Sequence, residues 1–136
     1  MKKLILIFLV AAEFMACSPS LSPDASWVNR RWVLTEMRGV PVQLSGTNRD
    51  AYISFFPEEK RISGNGGCNR VTGNYTLDKK SEIRFTEVAS TKMSCPDINF
   101  ENAFLSTLDK VDRYEVNGNV MLLKDGNEVL LIFEGK

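Results

Sequence analysis

From residue 27 onward, apolar and polar positions alternate in short runs broken by turn-forming residues, the pattern of half-buried β-strands. Trp32, Leu34 and Met37 begin it, and Arg38-Gly39 leads into a second short run, Val40-Pro41-Val42. Tyr52, Ile53, Phe55 and Phe56 make a third, ended by Pro57-Glu58-Glu59-Lys60. Arg61-Ile62-Ser63 then runs into Gly64-Asn65-Gly66-Gly67-Cys68-Asn69. Residues 71 to 77 and 82 to 87 read as a hairpin across Asp78-Lys79-Lys80-Ser81. Later, Tyr114-Glu115-Val116 and residues 120 to 123 flank Asn117-Gly118-Asn119, and Asp125-Gly126 turns the chain into residues 129 to 133. Asn-Gly and Asp-Gly favour the tight turns that join adjacent antiparallel strands.

One stretch departs from this rhythm. Between Pro96 and Lys110, Phe100, Ala103, Phe104, Leu108 and Val111 recur at helical spacing. Pro96 suits a first turn, Asp97 and Glu101 suit the positive end of a helix, and Lys110 its negative end. Phe100, Phe104 and Leu108 form one stripe facing the sheet, either as core or as the lining of a cavity. The expected class is α+β, mostly β, with a single amphipathic helix packed on a sheet. Residues 27–136 supply about 110 residues, enough for one core but not for two.

The first residues follow a different pattern. Met1-Lys2-Lys3 precedes nine apolar residues, LILIFLVAA. A basic segment and a short apolar core read as a secretory signal peptide over residues 1–16. The stretch is too short to span a bilayer and contains Glu13. Phe14-Met15-Ala16-Cys17 resembles a lipobox, in which the cysteine thiol accepts a diacylglyceryl group and becomes the new first residue. Residues 17–26 are then the lipidated Cys17 and a Ser- and Pro-rich linker, a composition that disfavours helix and sheet. Ser18 after the cysteine carries no aspartate retention signal. The expected location is the cell envelope, lipid-anchored, at the outer membrane of a Gram-negative bacterium.

Composition narrows the function. The chain has 17 basic and 17 acidic residues, and cleavage before Cys17 would leave 15 against 16. So balanced a chain carries no electrostatic footprint for nucleic acid, which is excluded as the main partner. There is no histidine. That removes the commonest general base, the commonest metal ligand and every Ser-His or Cys-His pair. No metal or other cofactor is expected, and the partners are the membrane, through the N-terminal lipid, and an unidentified protein or lipid ligand.

Of the three cysteines, lipidation of Cys17 removes the odd one and leaves Cys68 and Cys95. In an oxidising compartment they suit a disulfide; two buried free thiols also fit. Asn69-Arg70 and Thr91-Lys92 flank the two cysteines, so a bridge would gather them into one polar, basic patch, either structural or a ligand or partner site. The Gly64–Asn69 stretch lacks the lysine and serine spacing of a phosphate-binding loop and no helix follows it. It reads as a tight connection needing positive φ at its glycines. Asp24, Glu58, Glu59, Asp97 and Glu101 form no evident catalytic pair and read as charged turns and a solvated helix face.

The order of motifs resembles the META domain family of HslJ-like bacterial lipoproteins. The resemblance begins with Trp32-Val33-Leu34, Gly39-Val40-Pro41-Val42 and Ile53-Ser54-Phe55. Its most specific parts are Ser63-Gly64-Asn65-Gly66-Gly67-Cys68-Asn69-Arg70 with Gly73-Asn74-Tyr75, and Ala89-Ser90-Thr91-Lys92-Met93-Ser94-Cys95. Glu101, Phe104, Leu108, Leu122 and Phe133 complete it. The resemblance implies a small, cracked, partly open antiparallel β-barrel carrying one helix, similar in outline to lipid-binding pilot proteins of secretion systems. It also implies a part in heat-shock and envelope-stress responses, and supplies no catalytic residues.

The expected function is a lipid-anchored, non-enzymatic envelope module with a role in stress tolerance. Two alternatives stand beside it: a pilot-like carrier that binds an acyl chain or a hydrophobic partner segment, and a carboxylate-dependent hydrolase. A filled core favours the first, an internal apolar cavity the second, and a cleft with coupled carboxylates the third.

Overall fold

A computed structural model describes residues 27–78 and 80–136. Residues 1–26, read from the sequence as signal peptide, lipidated Cys17 and linker, lie outside the described residues. The strands are β1 (Arg31–Met37), β2 (Val40–Pro41), β3 (Tyr52–Phe56), β4 (Arg61–Asn65), β5 (Arg70–Leu77), β6 (Ile83–Ser90), β7 (Arg113–Asn117), β8 (Val120–Asp125) and β9 (Glu128–Gly135). One helix, α1 (Ile98–Leu108), stands between β6 and β7. Every strand run read from the sequence is present, and the predicted hairpins close where the turn residues stand.

Eight strands form one sheet in the order β6-β5-β4-β3-β1-β9-β8-β7, and β2 pairs with β1 off this path. All pairings are antiparallel. Sheet twist curls the two edges toward each other until they meet at a single point. There Glu82 bridges Arg113, the Ile83 amide donates to the Asp112 carbonyl at 3.0 Å, and the Tyr114 amide donates to the Ser81 carbonyl at 3.0 Å. The barrel is therefore cracked: its seam is pinned by these few bonds and is not zipped along its length. Successive hairpins alternate between the two rims. Residues 57–60, 78–82 and 118–119 turn at one rim, and residues 38–39, 66–69 and 126–127 turn at the other.

Alternation of side chains along each strand sends Trp32, Leu34, Ile53, Phe55, Ile62, Met121, Leu123, Leu131 and Phe133 inward, all at most 2% exposed. Two further aromatics, Trp27 and Tyr75, belong to the core. Trp27 is buried against Phe55 at 4.8 Å and Tyr114 at 5.5 Å between ring centroids, and its carbonyl accepts the Trp32 indole N–H at 2.8 Å. Tyr75 meets Phe55 edge-on at 5.2 Å. The ring of Trp27 is therefore part of the core.

The helix is one turn shorter than the Pro96–Lys110 pattern and rotated from the expected face. Its buried residues are Glu101, Phe104, Thr107 and Leu108. Ala103, read as part of the apolar face, is exposed, because it lies about 100° around the helix from Phe104. Glu101, read as part of a solvated face, is 1% exposed. It stands three residues before Phe104 and so shares its face. Thr107 is held on both sides: its hydroxyl donates to the Ala103 carbonyl at 2.7 Å and accepts from Arg38 Nε at 3.0 Å.

Candidate functional site

The segment Gly64–Asn69 leaves β4 and folds flat onto the first turn of α1. A Cβ added to Gly66 would stand 2.7 Å from Cγ of Glu101, so only glycine lets the loop approach the helix this closely. Gly67 has φ of 109° and sits against the Phe100 ring. Among the three glycines of this segment, only Gly67 takes the positive φ that the sequence suggested for them. Asn65 Oδ1 accepts the Gly67 amide at 2.7 Å, and the Gly66 amide donates to the Asn69 carbonyl at 2.9 Å, which closes the turn.

Asn69 is the hub. It is fully buried, so within the group Asn69, Arg70, Thr91 and Lys92 it takes the structural part. Its amide N–H donates to Glu101 Oε2 at 2.7 Å and its Nδ2 to Glu101 Oε1 at 3.0 Å. Its Oδ1 accepts the Met93 amide at 2.8 Å and the Thr91 hydroxyl at 3.0 Å, and Nδ2 also reaches the Met93 carbonyl at 3.4 Å. Thr91 is tied a second time through Arg70, whose amide donates to the Thr91 hydroxyl at 3.1 Å. Arg70, Thr91 and Lys92 are exposed. The patch is thus divided: Asn69 and Thr91 are structural, while the Arg70 and Lys92 side chains are at the surface.

Cys68 and Cys95 form a disulfide, with Cα atoms 6.3 Å apart, across 27 residues of sequence. The bridge and the Asn69 network fasten the same two segments, one covalently and one through hydrogen bonds. Phe100, Phe104 and Leu108 also divide. Phe104 and Leu108 have no exposed surface, and Phe104 meets Phe133 at 6.3 Å between centroids. Phe100 is only partly buried and lines an open groove.

That groove, about 1250 Å³, runs between the β2 side and the disulfide, past Met37, Val42, Ala51, Met93, Cys95 and Phe100. Val40 and Met93 on its walls are 65% and 59% exposed. One wall is braced by Asp50, whose carboxyl accepts the Ser45 amide at 2.7 Å, the Ser45 hydroxyl at 2.7 Å and the Gly46 amide at 2.8 Å. The backbone bond from Ser45 leads the causes that hold the Asp50 carboxyl below its ordinary pKa. Among the described residues, no group of three or more Cys, Asp or Glu side chains is placed to hold a metal ion.

The META domain pattern matches residues 25–136. The chain belongs to the META domain family. No curated protein matches it. Among solved structures it is similar to an NMR structure of a protein from Burkholderia xenovorans. That likeness has a TM-score of 0.67 and 23% identity, over 100% of this chain and 99% of the other. A second NMR structure has a TM-score of 0.61 and 27% identity, over 80% and 91% of the two chains. A crystal structure of a duf4847 family protein from Bacteroides vulgatus has a TM-score of 0.59 and 16% identity, over 79% and 93%. The first and third likenesses speak to the fold alone. Within this META domain, Gly66, Asn69 and Glu101, all among the residues that carried the family resemblance, tie the loop to the helix.

Proposed function

We propose that this META domain is a lipid-anchored, non-enzymatic module of the cell envelope, held at the outer membrane by Cys17 and acting in envelope stress tolerance. The observation that carries the reading is the use of its polar groups. The one carboxyl group buried among the described residues, Glu101, has both oxygens occupied by Asn69. Asn69 is itself saturated by Met93 and Thr91. A group already satisfied by a structural neighbour is not available to move a proton or attack a substrate, which speaks against a hydrolase built on Glu101. The lipobox-like Phe14-Met15-Ala16-Cys17 supports the anchor. Its two or more acyl chains would hold stably, at about 0.8 kcal/mol per buried CH₂.

The test joins location to role. In the host, Cys17→Ser is expected to abolish labelling by radioactive palmitate and to fail in restoring a deletion strain's survival under heat and antibiotic stress. Labelling equal to wild type would sink the anchor. Full rescue by the unlabelled variant would separate the stress role from the membrane.

A second reading rests on the open groove beside the disulfide: a pilot-like module that holds a hydrophobic partner segment between Met37, Val42, Met93 and Phe100. An acyl chain inside the barrel is less well supported, because Phe104, Leu108 and Phe133 leave no surface open to it. Native mass spectrometry of the chain purified from its host distinguishes a co-purifying peptide from a lipid, and a bare chain counts against both.

A further inference from the structure

The large hydrophobic side chains that the domain leaves exposed are not scattered. Among the described residues they are Val40, Leu44 and Met93, beside the groove, and Phe56, Leu77 and Val120, at 46%, 38% and 41% exposure. The second set surrounds the opposite rim. Phe56 ends β3 at the turn 57–60, Leu77 ends β5 at the turn 78–82, and Val120 opens β8 after the turn 118–119. Single exposed apolar residues are ordinary; three of them, one beside each turn of a single rim, are not.

The chain arrives at this same rim. Arg30 Nη1 donates to the Gly118 carbonyl at 3.4 Å and to Asn119 Oδ1 at 3.2 Å, which fixes residues 27–30 beside the β7–β8 turn. A shallow cleft of about 720 Å³ joins Val28, Arg30 and Arg31 to Ser54, Phe56 and Pro57. The Tyr75 amide donates to the Lys60 carbonyl at 2.9 Å, which brings the 57–60 turn against β5. Inside the rim, the buried Arg31 Nε has no hydrogen-bond acceptor.

We propose that this rim is a membrane-contact surface that rests on the phospholipid headgroup layer, an inference that stands on the lipid-anchor reading of Cys17. Ten residue steps lead from Cys17 to Trp27, and a chain covers at most about 3.5 Å per step, so the rim is held within roughly 35 Å of the anchor. The far rim, with its groove, then faces away from the bilayer and toward any protein partner. Phe56, Leu77 and Val120 supply the apolar contacts that sit at the headgroup boundary. By sequence, the turns and the residues beside them carry Arg30, Lys60, Arg61, Lys79 and Lys80 together with Glu58, Glu59, Asp78 and Glu82. A rim of such mixed charge suits zwitterionic headgroups and gives contact that depends little on salt; a basic rim would instead select anionic lipid.

The test uses the mature chain on vesicles of phosphatidylethanolamine with a minor share of phosphatidylglycerol. Intact mass first reports whether Cys17 carries acyl chains, which judges the anchor by itself. An unacylated chain is coupled through Cys17 to a maleimide phospholipid, so the rim is tested in either case. Hydrogen exchange is expected to slow by about threefold or more at residues 57–60, 78–82 and 118–119 on vesicles, and to stay unchanged at residues 38–39 and 126–127. The triple variant Phe56→Ser, Leu77→Ser, Val120→Ser should lose that protection while its exchange at residues 38–39 and 126–127 shows that it remains folded. Protection confined to the groove rim, equal exchange at both rims, or self-association of the chain through the same three residues without vesicles would overturn the proposal.

Discussion

Asn69 and Glu101, thirty-two residues apart in the chain, meet inside the domain as a matched pair: two donors of one residue face the two carboxyl oxygens of the other, at 2.7 and 3.0 Å. Neither contact tolerates reversal. The Asn69 backbone N–H cannot become an acceptor, and turning its side-chain amide over would break the bonds that Oδ1 accepts from Met93 and Thr91.

Glu101→Gln is therefore expected to destabilise the domain although it preserves shape. The new Nε2 must confront one of the Asn69 donors, leaving a buried polar group unpaired at a cost of about 1–3 kcal/mol. Urea denaturation monitored by Trp fluorescence reads it. Stability equal to wild type would mean that the pair is not as described.

Gly66 extends the same relationship. Gly66→Ala puts a methyl 2.7 Å from Glu101 Cγ, and overpacking of this kind costs about 1–3 kcal/mol. Because the obstacle is the Glu101 side chain, Glu101→Ala should relieve part of it. The two substitutions should then cost less together than the sum of their separate losses, by more than the few tenths of a kcal/mol found for independent sites. Strict additivity would place the strain elsewhere.

The disulfide can be judged against this network. Cys68 and Cys95 should resist alkylation in the denatured, unreduced chain and react after reduction. Closing a loop of 27 residues stabilises by about 3.5 kcal/mol on the chain-entropy argument. Asn69 still fastens Met93 and Thr91 when the bridge is open, so Cys68→Ser should lower the melting temperature yet leave a folded domain. Near-UV circular dichroism of the variant checks this, and a flat spectrum would show that the bridge alone holds the segment.

Asp50 gives a prediction in pH. Its folded pKa lies below its ordinary value of 3.8, so its contribution is present above that value and is lost as pH falls through the lower folded one. The carboxyl is exposed, so the effect is local and leaves the core intact. The Ser45 and Gly46 amide resonances should hold their hydrogen-bonded positions down past pH 3.8 and move together below it. A midpoint at or above 3.8 would contradict the bracing of this loop.

The sheet and the helix were legible because each repeats a simple period. Side chains alternate along strands such as Tyr52–Phe56, turn residues stand between them, and Phe104 and Leu108 lie four apart on α1. The core-facing role of Glu101 was not legible, since a charged residue three positions before a buried phenylalanine reads by default as solvated. The clue lay in its partner. A segment of glycines ending in Asn69 offers mainly backbone N–H groups and one amide, and such donors, once buried, need an acceptor from elsewhere in the fold. For the patch around Asn69, proximity to the cysteines was readable, but the direction of the Asn69 side chain into the interior was not. Ala103 shows the limit of apolar spacing, because a small residue fits either face and only packing decides which one is covered.

The last prediction decides between a packed module and an acyl carrier, and it turns on two phenylalanines of one helix. Phe104 has no exposed surface and packs on Phe133, whereas Phe100 borders the open groove. Phe104→Ala removes a ring from a filled interior and should cost about 3–5 kcal/mol, a large share of a small domain's total. Phe100→Ala should cost markedly less, because part of that ring already faces solvent and its loss deepens a groove without hollowing the core. Denaturant melts of both variants, beside displacement of a fluorescent fatty acid from the wild type, separate the readings. Fatty-acid binding abolished by Phe104→Ala with little loss of stability would mean that the ring lines a lipid cavity. A severe loss at Phe104, a mild one at Phe100 and no fatty-acid binding would leave the packed module. The packing of Phe104 against Phe133 predicts the second outcome.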